Sequence, residues 1–412
     1  MTHILYGDGI HDDTAAIQER IDSGACELTL PAPEKFYLIS KPLELPSDFR
    51  LVLPRFAEVR LAAGASCLMV KNKMVSAPDR RLEADCYQNP VFEHLWSYVD
   101  DYAPDAPCQN IELRGGIWNY NNMEQLPNPE RKMPESLAKR DFYGCAMLFY
   151  NVKNLKLCEL TVKDPCQYGI TMDTVSYFTV EDITFDYNLG NPVPINMDGV
   201  HLDGNCSYGT IRNLKGTCYD DLVALNAHEG SRGNISDIEI RGLFAEYCHS
   251  AVRLLAAGER VERIHISDVY GNFYQYCVGL TKFYQGEDGC FDAITVENVY
   301  AAKAKPAQKG EFVHPKDGRT LPFLWVQKGT EVGSLTLRSI HRREKTHPIP
   351  TVVIDEGARV GRLVLEDITT ENYTGQPMPL LLNNGTVGRL YAESLEANGD
   401  PLFAGEGTVE KQ

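Results

Sequence analysis

Apolar and polar positions repeat along this chain in one six-residue phrase: apolar, any, apolar, two polar residues, apolar. It reads LKLCEL from Leu155, FTVEDI from Phe178, IEIRGL from Ile238, IHISDV from Ile264, ITVENV from Ile294, LTLRSI from Leu335 and LVLEDI from Leu363. A looser copy, GTIRNL, starts at Gly209. Alternation of this kind marks a strand with one buried face, and the Val, Ile and Thr that fill it favour extended backbone. Most copies recur roughly every 23 to 31 residues, with a longer gap near residues 301–330. No stretch of helical period lies between them, as alternating strands and helices would require. A short strand cannot bury its apolar face alone, so strands at a fixed period predict a solenoid of stacked coils, a parallel β-helix. A leucine-rich repeat has a similar period, but its LxxLxLxxN signature is missing. The expectation is an all-β chain forming a single parallel β-helix over 1–412, with a cap at 1–25, a loop-rich insertion at 71–145 and regular coils over 146–400.

The opening GDGIHDDTAAIQERID departs from this pattern. Asp12, Asp13 and Thr14 precede Ala16, Ile17 and Ile21 at helical spacing, and Asp or Thr caps a helix N-terminus. A short helix closing the open end of the solenoid is expected there. The Gly-Asp-Gly turn lacks the lysine of a phosphate-binding loop and the full GxGxxG spacing. Residues 71–145 interrupt the repeat with aromatic, proline and charged residues. Loops of that length usually carry function, so they are expected to build one wall of a groove.

Composition narrows the partners. Charged residues make up 24% and hydrophobic residues 43% of the 412, ordinary for a globular chain. No run of about 18 apolar residues predicts a membrane helix. The start shows no basic segment followed by an apolar one, so the expectation is a cytoplasmic protein. Net charge is −17 with no basic cluster, which argues against nucleic acid. An anionic substrate would need a local cationic patch. The twelve cysteines show no CxxC or Cys/His metal spacing and are read as reduced, buried thiols.

Two neighbouring stretches carry the candidate chemistry. In NMDGVHLDG, Asp198 stands two residues before Val200; in YDDLVALNA, Asp221 stands two residues before Val223. Strands in adjacent coils lie about 4.8 Å apart. The same offset should therefore stack Asp198 and Asp221 on one flank, with Asp220 beside them. Crowded carboxyls cannot all ionise, so one is expected to hold a proton, the condition for a general acid beside a carboxylate base. The plainer alternative is that Asp220 and Asp221 cap turns. Aligning YCHSAVRLLAAG on the same phase puts Arg253 on the outward face in a column with His201 and Ala224, and His249 at the strand entrance. Lys282 follows in GLTKF. A column of His201, Arg253 and Lys282 beside an acidic cluster suits an anionic sugar bound next to an acid/base pair. Asp203 reads as a turn residue, and His228 and His265 as surface residues. A Ca²⁺ site is the rival use of the acids, without EF-hand spacing to support it.

In order and spacing, NMDG, YDD, YCHS and GLTK resemble the motifs of glycoside hydrolase family 28, the polygalacturonases and their relatives. The opening GDGIHDDTAAIQ resembles the entry motif of pectin-lyase-like β-helices. The resemblance covers about residues 110–285 and the first twenty. It implies a right-handed parallel β-helix whose long loops form a groove. It also implies catalysis by Asp198, Asp220 and Asp221, without metal or cofactor, on an acidic oligosaccharide. The acid is placed at Asp221, with Asp198 and Asp220 holding the water. His249 matches the family histidine, and Lys282 matches the lysine that binds a uronate carboxylate. Met197, Tyr219, Cys248, Ser250 and Leu280 depart from the family motifs, and Leu280 stands where an arginine is usual; Arg253 is the substitute. His249 falls one place away from the aspartate column, so a bulge is expected. Trp96, Tyr98, Tyr102 and Trp118 are candidates to stack on sugar rings. The expected activity is inverting, exo-acting hydrolysis. The alternatives are a uronate lyase or epimerase on the same fold, or a non-catalytic carbohydrate-binding module. The sequence leaves the oligomeric state open.

Overall fold

A computed structural model describes residues 3–75, 106–128, 144–284, 286–305 and 321–410. The groove wall expected from 71–145 falls largely outside these, as do Trp96, Tyr98 and Tyr102. The chain divides into two compact units. One comprises Met1–Thr210, Cys218–Asp220 and Glu229–Ser231; the other comprises Ile211–Thr217, Asp221–His228 and Arg232–Gln412. Among the described residues no helix is long and apolar enough to cross a membrane.

In the first unit, successive coils lay short strands onto three parallel ladders. One ladder runs Glu27–Thr29, Phe49–Val52, Cys108–Arg114, Val152–Cys158 and Ser176–Glu181. A second runs Tyr37–Ile39, Glu58–Leu61, Ile117–Asn119, Thr161–Lys163 and Thr184–Asp186. The third runs Leu43–Leu45, Val70–Asn72, Met147–Tyr150, Ile170–Asp173 and Val200–Leu202. The phrase read from the sequence is in register, with Leu155 beside Phe178. The helix Thr14–Ile21 buries Ala16, Ile17 and Ile21, as its spacing requires. Its Asp13 does not cap it: that carboxylate accepts N–H groups of Tyr6 and Gly7, while Asp12 accepts the Thr14 N–H at 2.8 Å. Trp118 is fully buried and donates to the Gly115 carbonyl, so it packs the core and does not offer a sugar platform.

In the second unit, the strands run long. Ile235–Cys248, Arg260–Phe273, Gly289–Lys303, Thr330–Glu344, Arg359–Asn372 and Thr386–Ala397 pair in parallel. A second ladder takes Asp221–Asn226, Ser250–Leu255, Val278–Thr281, Leu324–Val326, Val352–Ile354 and Leu381–Asn383. The long strands bend where one residue adopts left-handed backbone. In the repeated phrase it is always the second polar residue: Glu159, Asp182, Asn213, Gly242, Asp268, Asn298, Ser339 and Asp367. Asn, Asp and Gly tolerate that conformation best, which is why they recur there. On the outer face Phe244, Tyr270, Tyr300 and His341 are register neighbours and stack, with centroids 5.3, 5.5 and 4.9 Å apart. Their ring faces are spent on one another.

The apolar positions form continuous columns. Ile240, Ile266, Val296, Leu337 and Leu365 stack through five coils, all buried. Eight of the eleven described cysteines are buried, as read from their strand contexts. Ile266→Ala should cost about 2–5 kcal/mol, because the coils above and below cannot close the cavity. Chemical denaturation measures this; a loss below about 1 kcal/mol would show that the column is not tightly packed.

Candidate active site

The first unit gathers an acidic cluster that the coil register explains. GITMD, ending at Asp173, and GVHLD, ending at Asp203, carry one pattern on adjacent coils, with Met172 paired to Leu202. Each aspartate follows the same inward-facing residue, so the two carboxyls come together. Both are buried, and they flank Gly230, where a Cβ would lie 2.4 Å from Asp173 Oδ2 and 2.6 Å from Asp203 Cγ. Gly230 also has φ +58°, so glycine is required twice over. Asp173 accepts the Ser231 N–H and the Thr174 hydroxyl, each at 2.8 Å. Burial first, and the charge of Asp203 second, push the Asp173 carboxyl up to about 8 against those hydrogen bonds.

His201 occupies the centre of the cluster. It was expected on an open face, in contact with a ligand, but only 1% of it is exposed. Its Nδ1 lies 2.6 Å from Asp198 Oδ2, and its Nε2 lies 3.1 Å from Asp203 Oδ1 and 3.2 Å from Glu229 Oε2. Tyr168 stacks on the ring at a 3.8 Å centroid separation. His201, Asp203 and Glu229 place donor atoms within 4.8 Å of one another, close enough to hold a cation. Asp173, Asp203, Glu229 and Tyr168 were absent from the sequence-based site. The repeated Gly-x-x-x-Asp was the signal for the first two; nothing local marks Glu229.

Asp198 and Asp220 belong to this same unit. The Tyr219 N–H donates to the Met197 carbonyl at 3.2 Å, and the Asn196 N–H donates to Asp220 Oδ2 at 3.2 Å. Residues 196–198 and 219–220 thus run side by side. Asp198 is buried and Asp220 half-buried.

In the second unit Asp221 is fully buried at the start of strand Asp221–Asn226. The Ser250 and Tyr276 hydroxyls donate to its Oδ1, the latter at 3.3 Å, and Arg253 Nε lies 2.9 Å from Oδ2. Its register partner is Ser250, and His249 stands one place earlier, as the phasing predicted. The bulge expected to bring His249 into the aspartate column is not at this pair; the register shift nearest to it lies upstream in the other ladder, between Ala245 and Cys248. His249 Nδ1 is 3.8 Å from Asp221 Oδ1. Arg253 pairs in register with Ala224, as aligned, and with Gly279. Lys282 stands three residues past Gly279, so it does not share Arg253's column. The ammonium of Lys282 donates to the Gly286 carbonyl at 2.7 Å and lies 3.5 Å from Asp288. Arg253 Nε also reaches Asn226 Oδ1 at 3.2 Å. Both cations expected to meet a uronate therefore engage protein acceptors. His228 pairs with Glu259 at 2.9 Å, and His265 with Glu297 at 3.0 Å on the surface.

These coils are those of the right-handed parallel β-helix proteins, and the fold class is settled by superposition on solved structures. The surface protein and adhesin PfbA of Streptococcus pneumoniae matches with a TM-score of 0.60 at 15% identity, over 99% of this chain and 98% of that one. The family 28 exopolygalacturonase of Yersinia enterocolitica matches at 0.58 and 15% identity, over 99% and 76%. The endo-xylogalacturonan hydrolase from Aspergillus tubingensis matches at 0.57 and 14% identity, over 99% of each chain. Similarity at this identity establishes the fold alone. No protein-family model and no curated protein sequence matches the chain.

The raised Asp173 carboxyl makes stability depend on pH. An unfolded aspartate loses its proton near pH 4, whereas the folded one keeps it to about 8. Between these values the folded state binds more protons, so this group lowers stability as pH rises. Asp173→Asn keeps the neutral form at every pH. Its melting temperature should match wild type near pH 4 and exceed it increasingly towards pH 8; a constant offset across that range would show that Asp173 is ionised in the fold.

Proposed function

We propose that the protein is a glycoside hydrolase acting on an acidic, uronate-containing oligosaccharide. The observation that carries this reading is the close run of 196–198 beside 219–220, which sets a buried and a half-buried carboxyl on neighbouring backbone. Hydrolysis needs one carboxylic acid to protonate the leaving oxygen and one carboxylate to take a proton from the attacking water. Asp198, bonded to His201 on one side, suits the base. Asp220, the more open of the two, suits the acid.

Asp221 is less suited to the acid role first assigned to it. The Ser250 and Tyr276 hydroxyls donate to its Oδ1 and Arg253 Nε stands 2.9 Å from its Oδ2, so protein groups surround this fully buried carboxyl where a leaving group would have to reach it. Its role in this reading is to fix the backbone that presents Asp220, to which it is joined by a peptide bond. As the water oxygen bonds the anomeric carbon, the bond to the leaving oxygen breaks. The water proton passes to Asp198 and the Asp220 proton to the leaving alcohol, and solvent exchange restores both groups. Direct displacement of this kind inverts the anomeric centre. Among the proteins that share this fold are an exopolygalacturonase and an endo-xylogalacturonan hydrolase.

The test is product analysis on acidic and neutral oligosaccharides. Asp198→Asn and Asp220→Asn should each lower turnover by roughly 10²- to 10⁴-fold in protein that is still folded at the assay temperature. Asp221→Asn should lower turnover and thermal stability together. Near-normal rates in Asp220→Asn, or unsaturated products absorbing in the ultraviolet, would sink the hydrolase assignment.

A further inference from the structure

The geometry points to a binding site for one divalent first-row metal ion at His201, Asp203 and Glu229, with Asp198 fixing the imidazole from behind. The site goes beyond the hydrolase reading and needs no turnover to exist. Its donors are a ring nitrogen and two carboxylate oxygens. His201 Nε2 lies 3.1 Å from Asp203 Oδ1 and 3.2 Å from Glu229 Oε2, and the three residues place ligand atoms within 4.8 Å of one another. All three residues are buried.

The two nitrogens of the imidazole are met differently. On Nδ1 one oxygen of Asp198 stands at 2.6 Å, the length of a charge-assisted hydrogen bond. On Nε2 two oxygens stand at longer and nearly equal distances. One N–H points along one line and serves one acceptor well. Two oxygens sharing that nitrogen equally are what donors around an ion show, because ligands about 2.0–2.2 Å from a metal stand roughly 2.8–3.6 Å apart. With Asp198 on Nδ1, the Nε2 lone pair is left for the ion, the carboxylate–histidine–metal arrangement. The ring nitrogen and the short spacing select against Ca²⁺, which takes only oxygens, at about 2.3–2.6 Å.

Two further observations converge on the same place. Thr171 is the register partner of His201. Its neighbours Ile170 and Met172 belong to the core, so its side chain turns outward beside the imidazole, into the space that Tyr168 roofs. Only 2% of Thr171 is exposed, yet its hydroxyl has no hydrogen-bond partner among the described residues. Buried hydroxyls are ordinarily partnered, and a water carried by the ion supplies the partner. The second observation concerns Glu229, which no strand places. Its carbonyl accepts the Gly204 N–H at 3.3 Å, and the Ser231 N–H donates to Asp173 at 2.8 Å. Between them Gly230 packs so closely that a Cβ would lie 2.6 Å from Asp203 Cγ. Backbone contacts thus hold Glu229 against Asp203 in advance, which lowers the ordering cost of binding.

The test uses the full-length protein, stripped with a chelator, and Zn²⁺ as the probe. Isothermal titration calorimetry should show one Zn²⁺ site, with Ca²⁺ bound roughly 100-fold more weakly or not at all. X-ray absorption at the zinc edge should show one imidazole nitrogen, oxygens at about 2.0–2.2 Å and no sulfur. Asp198→Asn should weaken Zn²⁺ binding roughly 10- to 100-fold, and His201→Gln and Glu229→Gln by more, in protein shown to be folded by circular dichroism. His228→Gln, at the separate pair with Glu259, should leave the affinity unchanged. The site is overturned by absence of Zn²⁺ binding, by a sulfur ligand or a second imidazole, by wild-type affinity in folded Glu229→Gln, or by loss of binding in His228→Gln. Where a variant fails to fold, the absorption spectrum of the wild-type protein decides alone. If Zn²⁺ binds as expected while no oligosaccharide is cleaved, the hydrolase reading fails and the metal site stands.

Discussion

Every coil of this molecule depends on placing left-handed residues in the same phase. Non-glycine residues enter that region at a cost of about 1–2 kcal/mol, so the chain adopts it only where strand pairing on both sides demands a corner. Asp182, Asp268, Asn298 and Asp367 meet the demand in four copies of one phrase. Phase is then locked: a slip of one residue would turn each buried Ile and Leu column outward and expose it. The lock extends to the polar positions that share the strands. Asp173 and Asp203 face each other because Met172 pairs with Leu202, not because the carboxyls attract. The acidic cluster is held against its own repulsion by core packing a residue away.

That dependence explains what could be read without coordinates. Ile264, Ile294, Leu335 and Leu363 occupy the positions their spacing predicted, since both the apolar alternation and the Asn or Asp of the corner are local signals. A second corner lies just before five of the seven full phrases, at Asn154, Tyr177, Asp237, Arg263 and Ala293. Only strand pairing forces it, and so no residue type marks it. The register of Val223 with Val252, and of Ala224 with Arg253, followed from the same alignment.

Side-chain direction was harder to read. Arg253 was given to a ligand because it points out of the coil; it turns instead to Asp221 and Asn226. Lys282 lies beyond the paired position and reaches Asp288. His201 also points outward, yet it is roofed by Tyr168 and enclosed by residues from 198 to 229. An outward Cβ is a property of the strand. Whether it reaches solvent depends on what the connecting segments lay over it, and Glu229 arrives from such a segment.

The two acidic groupings solve one electrostatic problem differently. Asp221 meets a guanidinium, a cation that keeps its charge at any working pH, so its carboxylate is a fixed acceptor. Asp198 meets an imidazole, whose charge depends on the carboxylates behind it. Only the second arrangement can be tuned by its surroundings. In the proposed hydrolysis, a base that must accept a proton in each cycle and release it again is better served by a partner whose charge responds to the same field than by a permanent cation. The imidazole between Asp198 and two buried acids is such a partner.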